Sequence, residues 1–280
     1  VSEIYRVMDI LLPFEWARHA FMKNALLGVL LVTPAFALLG TMVVNNRMAF
    51  FADAIGHSAL TGIAIGVIAG LGRPIWSMVL FSIVLSAAIL MVKRANTAST
   101  DTVIGVFSST AVALGIVLLS RSGGFAKYSA FLIGDLLSVG PADLVMLAVT
   151  LLAVLGLWFL AFNRLLLTGV NAELARSRGI SASFHEALFT LATAVVVTVS
   201  IQWVGILIIS SLLVLPAAAA RNVAGNMRRY HLYSVCVALV SGISGLVLSY
   251  FWGTATGATI VLIAAGFFAV TFALKRFARR

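Results

Sequence analysis

Apolar runs of about twenty residues recur along almost the whole chain, separated by short polar connections. One such run matches the hydrocarbon thickness of a bilayer when helical, at about 1.5 Å rise per residue. In lipid every backbone N–H and C=O must be satisfied internally, which leaves helices or a closed barrel. Barrel strands alternate apolar and polar residues, whereas these runs are continuously apolar, so helices are selected. The composition agrees: 62% of the 280 residues are hydrophobic and 10% are charged. The expected fold is all-α, a polytopic integral membrane protein of about eight to nine transmembrane helices. No polar stretch is long enough for a second domain, so residues 1–280 read as a single transmembrane domain.

The spans fall at about 23–44, 49–70, 74–92, 102–120, 141–161, 186–201, 206–219, 232–251 and 257–274. Pro34 inside the first predicts a kink. Residues 1–20 mix charged and apolar positions and predict a short interfacial amphipathic helix. Residues 121–140 contain Lys127 and Asp135 in a short apolar stretch, so a short or re-entrant segment near 125–138 is expected. Residues 162–186 read as a long polar loop, 202–205 as a tight connection, and 219–231 as a basic connection forming a short helix.

The net charge of +10 would suggest nucleic acid in a soluble protein. Here the basic residues mark topology. With the N-terminus outside and 121–140 not crossing, 13 of the 19 Lys and Arg lie in cytoplasmic segments, as the positive-inside rule requires. No nucleic-acid partner is expected, and membrane lipid is the surrounding partner. The single cysteine, Cys236, excludes an intramolecular disulfide and a Cys-cluster metal site, and reads as a small core residue. No cleaved signal peptide is expected from the first residues.

The second span, AFFADAIGHSALTGIAIGVIAG at 49–70, carries the chain's most informative polar residues. A carboxylate in a span costs about 2.5–3.5 kcal/mol on insertion scales, and such residues face a bundle interior or a water-filled path. At about 100° per residue, Asp53 and His57 lie about 40° apart on one face, with Thr61 extending the stripe. Gly62, Gly66 and Gly70 form a small-residue ladder on roughly the opposite side, suited to close helix approach. Carboxylate plus imidazole at i, i+4 suits a divalent metal; equally, the pair could be a hydrogen-bonded strut in a packed bundle.

Other chemistries lack their residues. No G-x-x-x-x-G-K-[ST] is present, so no P-loop hydrolyses nucleotide here. No Rossmann glycine pattern occurs. His185-Glu186 opens like a zinc-protease helix, but Phe189 stands where the second His is required. No Ser/His/Asp set is suggested by sequence proximity. His185 and His231 read as interfacial histidines.

Five segments in order resemble the permease subunit of the bacterial ABC importers for zinc and manganese. They are RMAFFADAIGHSALTGIAIG at 47–66, DTVIGVFS at 101–108, FLIGDLLSV at 131–139, NAELARSRG at 171–179 and VGILIISSLLVLPAAAAR at 204–221. The chain departs from the family pattern at Ala49 (usually Ser), Gly56 (usually Ser or Ala) and Thr61 (commonly Pro). The resemblance implies a homodimeric permease in the bacterial inner membrane. Its implied partners are two cytoplasmic ABC ATPase subunits and an extracytoplasmic metal-binding protein. It places the metal path on Asp53 and His57. It places the ATPase-coupling segment at about Pro216 to Arg228, including Ala220, Arg221 and Gly225. No permanently bound cofactor is implied; Zn²⁺ or Mn²⁺ is the cargo. Gly134-Asp135-Leu136-Leu137 is more like the zinc members, so zinc is favoured, with a manganese or iron importer as the alternative. A secondary metal transporter using Asp53 for proton coupling is the less favoured reading.

Overall fold

A computed structural model of the chain describes residues 2–11, 13–72, 74–95, 99–122 and 134–278. Among these residues there is no strand. The helices are α1 (Ser2–Leu11), α2 (Ala20–Asn45), α3 (Ala49–Ile68), α4 (Ile75–Arg94), α5 (Thr100–Ser122), α6 (Pro141–Val170), α7 (Ala172–Ser177), α8 (Ala182–Val204), α9 (Ile206–Val223), α10 (Met227–Trp252) and α11 (Thr256–Ala278). Eight of them, α2 to α6, α8, α10 and α11, are long and apolar enough to cross a bilayer. The apolar part of α9 is shorter. Large apolar side chains face outward on these helices, Phe159 being 91% exposed. Such a surface is stable against lipid and not against water.

Several boundaries differ from those read in the sequence. α6 does not stop near residue 161 but continues to Val170, so nine residues of the expected polar loop are helical. Asn171 then caps α7, its side chain accepting from the Glu173 and Leu174 amides at 3.0 Å. The connection expected over 202–205 narrows to Gly205, whose φ of 88° turns the chain from α8 into α9. A side chain at that φ is strained, so glycine suits the position. The basic connection is not a separate helix. α9 extends to Val223, and α10 starts at Met227 with Asn226 accepting from the Arg229 amide at 2.9 Å. Pro34, expected to kink the first span, lies inside α2. Most of the segment expected to be re-entrant, 123–133, lies outside the described residues. Its end forms a short 3₁₀ turn, Leu136–Ser138, capped by the Asp135 carboxylate at 3.0 Å from the Leu137 amide.

The described chain divides into two compact units. One comprises Val1–Val44, Ile133–Gly156 and Ser211–Arg280; the other comprises Asn45–Leu132 and Leu157–Ser210. In the first, Gly242 of α10 meets α2, where an added Cβ would lie 2.6 Å from a Val29 methyl. Ser234 donates to the Ala37 carbonyl at 3.1 Å, and Thr41 Oγ1 lies 2.8 Å from His231 Nδ1. Interhelical polar bonds of this kind contribute about 0.6 kcal/mol each on average in membrane proteins. α1 is tied to the start of α2 by the Asp9–Lys23 ion pair at 2.5 Å and by Tyr5 donating to Asn24.

In the second unit α3 is the central helix, packed against α4, α5 and α8. Gly62 and Gly66 are the expected close-approach positions. An added Cβ at Gly62 would lie 2.5 Å from Met78 Cα, and one at Gly66 would run into the Ser77 hydroxyl. Gly70 is not a third rung, because it has φ +69° and no neighbour. Its amide bonds the Val67 carbonyl while that of Leu71 bonds Gly66, closing α3 with a Schellman turn. At the other end of α4, Lys93 pairs with Glu186 at 2.5 Å and Arg94 donates to the Ser183 carbonyl at 2.8 Å. These bonds join the end of α4 to the start of α8.

Candidate functional site

Asp53 and His57 lie one helical turn apart in the first half of α3. Their side chains face the same direction, with His57 Nε2 3.6 Å from Asp53 Oδ1. Both remain partly open in this chain: the Asp53 side chain is 44% exposed and that of His57 31%. A helix that is otherwise largely buried thus keeps one accessible polar patch.

A third side chain completes the local geometry. Ser210, in the first half of α9, donates its hydroxyl to Asp53 Oδ1 at 3.0 Å. The approach of α9 is permitted by Gly56. A Cβ there would lie 3.2 Å from an Ile209 methyl and 3.5 Å from the Ile206 carbonyl oxygen. The departure from Ser or Ala at Gly56 thus gives α9 room beside α3. Among the described residues Asp53 hydrogen-bonds only through Oδ1, which leaves Oδ2 for a ligand. Ser210 was not singled out in the sequence. It is 157 positions from Asp53, and its only local signal is the Ser210-Ser211 pair inside an apolar run.

Thr61 does not extend this patch. It is fully buried and donates to the Ala111 carbonyl of α5. Gly115 brings the α5 backbone close, since a Cβ there would sit 2.7 Å from the Thr61 amide nitrogen. With a carbonyl in reach, the buried hydroxyl finds its partner on α5 and does not join the Asp53–His57 patch.

Among the described residues no group of three or more His, Cys, Asp and Glu is gathered. One chain therefore presents a carboxylate and an imidazole, with a serine hydroxyl behind the carboxylate. Two donors of this kind bind a divalent ion only when other ligands complete the shell. His185 is buried and its Nδ1 lies 2.8 Å from the Ser181 carbonyl oxygen, a local bond at the start of α8. Asp135 is occupied by its turn. Cys236 is exposed on α10, not a core residue as expected.

The residues expected to couple to an ATPase separate into two groups by burial. Pro216 and Ala220, in the last turns of α9, are buried, Ala220 packing on Tyr230 of α10. Arg221, Gly225 and Arg228 are exposed at the α9–α10 turn. Arg221 donates to the Val44 carbonyl at 3.3 Å, which ties this turn to the end of α2.

Comparison with known proteins gives a consistent picture. A family model described as the ABC 3 transport family matches residues 18–275. The high-affinity zinc uptake system membrane protein ZnuB of Haemophilus influenzae is 32% identical over 248 residues, covering 88% of this chain and 95% of that protein. The manganese import system permease protein ScaB of Streptococcus parasanguinis is also 32% identical, over 253 residues and 90% of each chain. Among solved structures, PsaBC from Streptococcus pneumoniae in complex with Fab superposes with a TM-score of 0.81 at 29% identity, covering 91% of each chain.

Proposed function

Because the chain belongs to the ABC 3 transport family, we propose that it is the membrane permease of an ATP-driven importer for a divalent transition metal, with zinc favoured over manganese. The observation that carries this reading is the Asp53–His57 patch, accessible and oriented by Ser210 on an intramembrane helix. Imidazole and carboxylate suit zinc, manganese and iron, whereas the thiolate and thioether set of a Cu(I) path is not gathered there. The zinc preference rests on the Gly134–Leu137 segment. ZnuB and ScaB, named for different metals, are equally similar to this chain.

In this reading the ion enters from an extracytoplasmic binding protein, pauses at Asp53 and His57, and leaves to the cytoplasm. Two copies of the chain supply two carboxylates and two imidazoles, enough for one tetrahedral ion. The site must hold the ion weakly enough to release it, and the half-open patch serves that need better than a dry four-ligand cage within one chain. ATP is hydrolysed by separate cytoplasmic subunits. The exposed Arg221, Gly225 and Arg228 at the α9–α10 turn offer them a contact surface, while the buried Pro216 and Ala220 hold that turn in place.

ATP-dependent uptake of zinc and of manganese, in cells lacking their own system, tests the proposal. Wild type is compared with Asp53→Ala and His57→Ala at matched expression. Uptake of one metal, reduced at least about tenfold in both variants, is the expected result, since each substitution removes one of few ligands. Uptake unchanged in both would make the pair structural and remove the ion path from α3. Uptake that persists without any ATPase subunit would favour a secondary transporter.

A further inference from the structure

A second feature lies away from the ion path, in the Ser211–Arg280 unit. Where α9 ends, a shallow groove of about 350 Å³ opens between α9, α10 and α11. Its walls include Ala219 and Val223 of α9, Tyr233, Cys236 and Val237 of α10, and Thr271 of α11. The small side chains of Ala219 and Cys236 leave the space. The Thr271 hydroxyl is already engaged, donating to the Phe268 carbonyl at 3.0 Å and lying 3.3 Å from Asn222 Nδ2. The groove is therefore a mainly apolar surface. Its volume is within the range of small-molecule sites, about 300–1,000 Å³.

Its position and charge define an occupant. Cys236 is nine residues into α10, about 14 Å along the helix from Met227. That depth is inside a membrane span, where an open apolar groove faces acyl chains. Arg229 stands one turn before Tyr233 on α10, and Lys275 one turn after Thr271 on α11. Both side chains therefore stand at the same, cytoplasmic, end of the groove. Beyond Glu186 the chain has seven Lys and Arg and no Asp or Glu. Among the described residues no ion pair uses Arg229 or Lys275. A second copy of this chain would bring cation against cation at this rim. A molecule with an anionic head and an apolar tail satisfies both halves.

We propose that this groove binds an anionic phospholipid, with an acyl chain against Val223, Cys236 and Val237 and the phosphate on Arg229 and Lys275. Basic pockets between helices on the cytoplasmic side are suited to such head groups. The site is a specific lipid position, beyond the general solvation of the outer surface by the bilayer.

The test is lipid retention. The full-length chain is taken from vesicles holding equal amounts of phosphatidylglycerol and phosphatidylcholine with identical acyl chains, and retained lipid is read by native mass spectrometry. The expected result is one phosphatidylglycerol retained per chain in preference to phosphatidylcholine. Arg229→Gln with Lys275→Gln should lower that retention on the order of tenfold. Val237→Trp, which fills the groove and leaves both cations, should lower it too. If Val237→Trp fails to fold, the surface charge variant still decides. Equal retention of the two lipids, or retention unchanged in the charge variant, overturns the proposal. So does a Cys236–Cys236 cross-link formed between copies in the native membrane, which would assign the groove to a second copy.

Discussion

Ser210 shows what a single hydroxyl contributes at a half-open site. It engages Asp53 Oδ1, so it restrains the carboxylate rotamer and leaves Oδ2 without a hydrogen bond among the described residues. Ser210→Ala should keep the fold and weaken the ion interaction by about 1–2 kcal/mol, around the lower end for a hydrogen bond to a charged group. In uptake assays that appears as a KM raised about five- to thirtyfold, with the maximal rate less affected. An unchanged KM would reduce Ser210 to a packing residue. Thr61 should behave in the opposite way. Its hydroxyl is buried on the Ala111 carbonyl, which keeps its own bond inside α5, so Thr61→Val should lower thermal stability by about 0.5–1.5 kcal/mol, the net worth of one lost hydrogen bond. Metal KM should stay the same. A KM shift in Thr61→Val would return that residue to the ion path. The two residues also show the limit of spacing arguments. Helical periodicity placed Asp53, His57 and Thr61 on one stripe, and the Asp53–His57 pairing is present. Thr61 left the stripe because Gly115 brought a carbonyl to it from α5. Ser210 reaches Asp53 from a different helix, and no local pattern encodes that contact.

At the scale of elements, the small residues decide how close helices come. Gly62 and Gly66 were legible as packing positions because a small-residue ladder in an apolar helix has few other uses. Gly70 matched the same spacing and has a different task, ending α3 with positive φ. The contact at Gly62 is with the Met78 backbone, which cannot rotate away as a side chain end would. Gly62→Leu should therefore part α3 from α4, and the amount of folded protein in detergent should fall sharply. Gly62→Ala, whose Cβ would meet Met78 Cα at 2.5 Å, should destabilise by about 1–3 kcal/mol, the usual penalty of overpacking. A melting temperature unchanged in Gly62→Ala would mean that α4 shifts freely. Helix ends were less legible than helix existence. Apolarity reports the bilayer, whereas intrahelical hydrogen bonds continue into water wherever the chain has no breaker. α6 accordingly runs past Arg164 to Val170, and the break comes only at Asn171, whose side chain caps the next helix.

For the whole molecule, the number of ligands per chain sets the assembly that metal transport needs. Length and apolarity alone made the polytopic helical architecture legible, because lipid admits so few alternatives. The stoichiometry of the site was not legible, since it depends on which distant residues converge. Among the described residues only two strong metal donors meet at the patch, and no third His, Cys, Asp or Glu joins them. Zinc in a closed site takes four such ligands, so under the proposed function one chain offers half a shell. If two chains share one ion, equilibrium binding to the assembled transporter should saturate at one ion per two copies of this chain. A mixed assembly with one wild-type and one His57→Ala chain should then keep three protein donors, with affinity reduced about 10- to 100-fold and not abolished. Saturation at two ions would mean that each chain completes its own shell with water, and the mixed assembly would then show one unaltered site and one weakened site. Isothermal titration on the linked dimer separates these cases, because a shared ion gives a single weakened transition and independent ions give two.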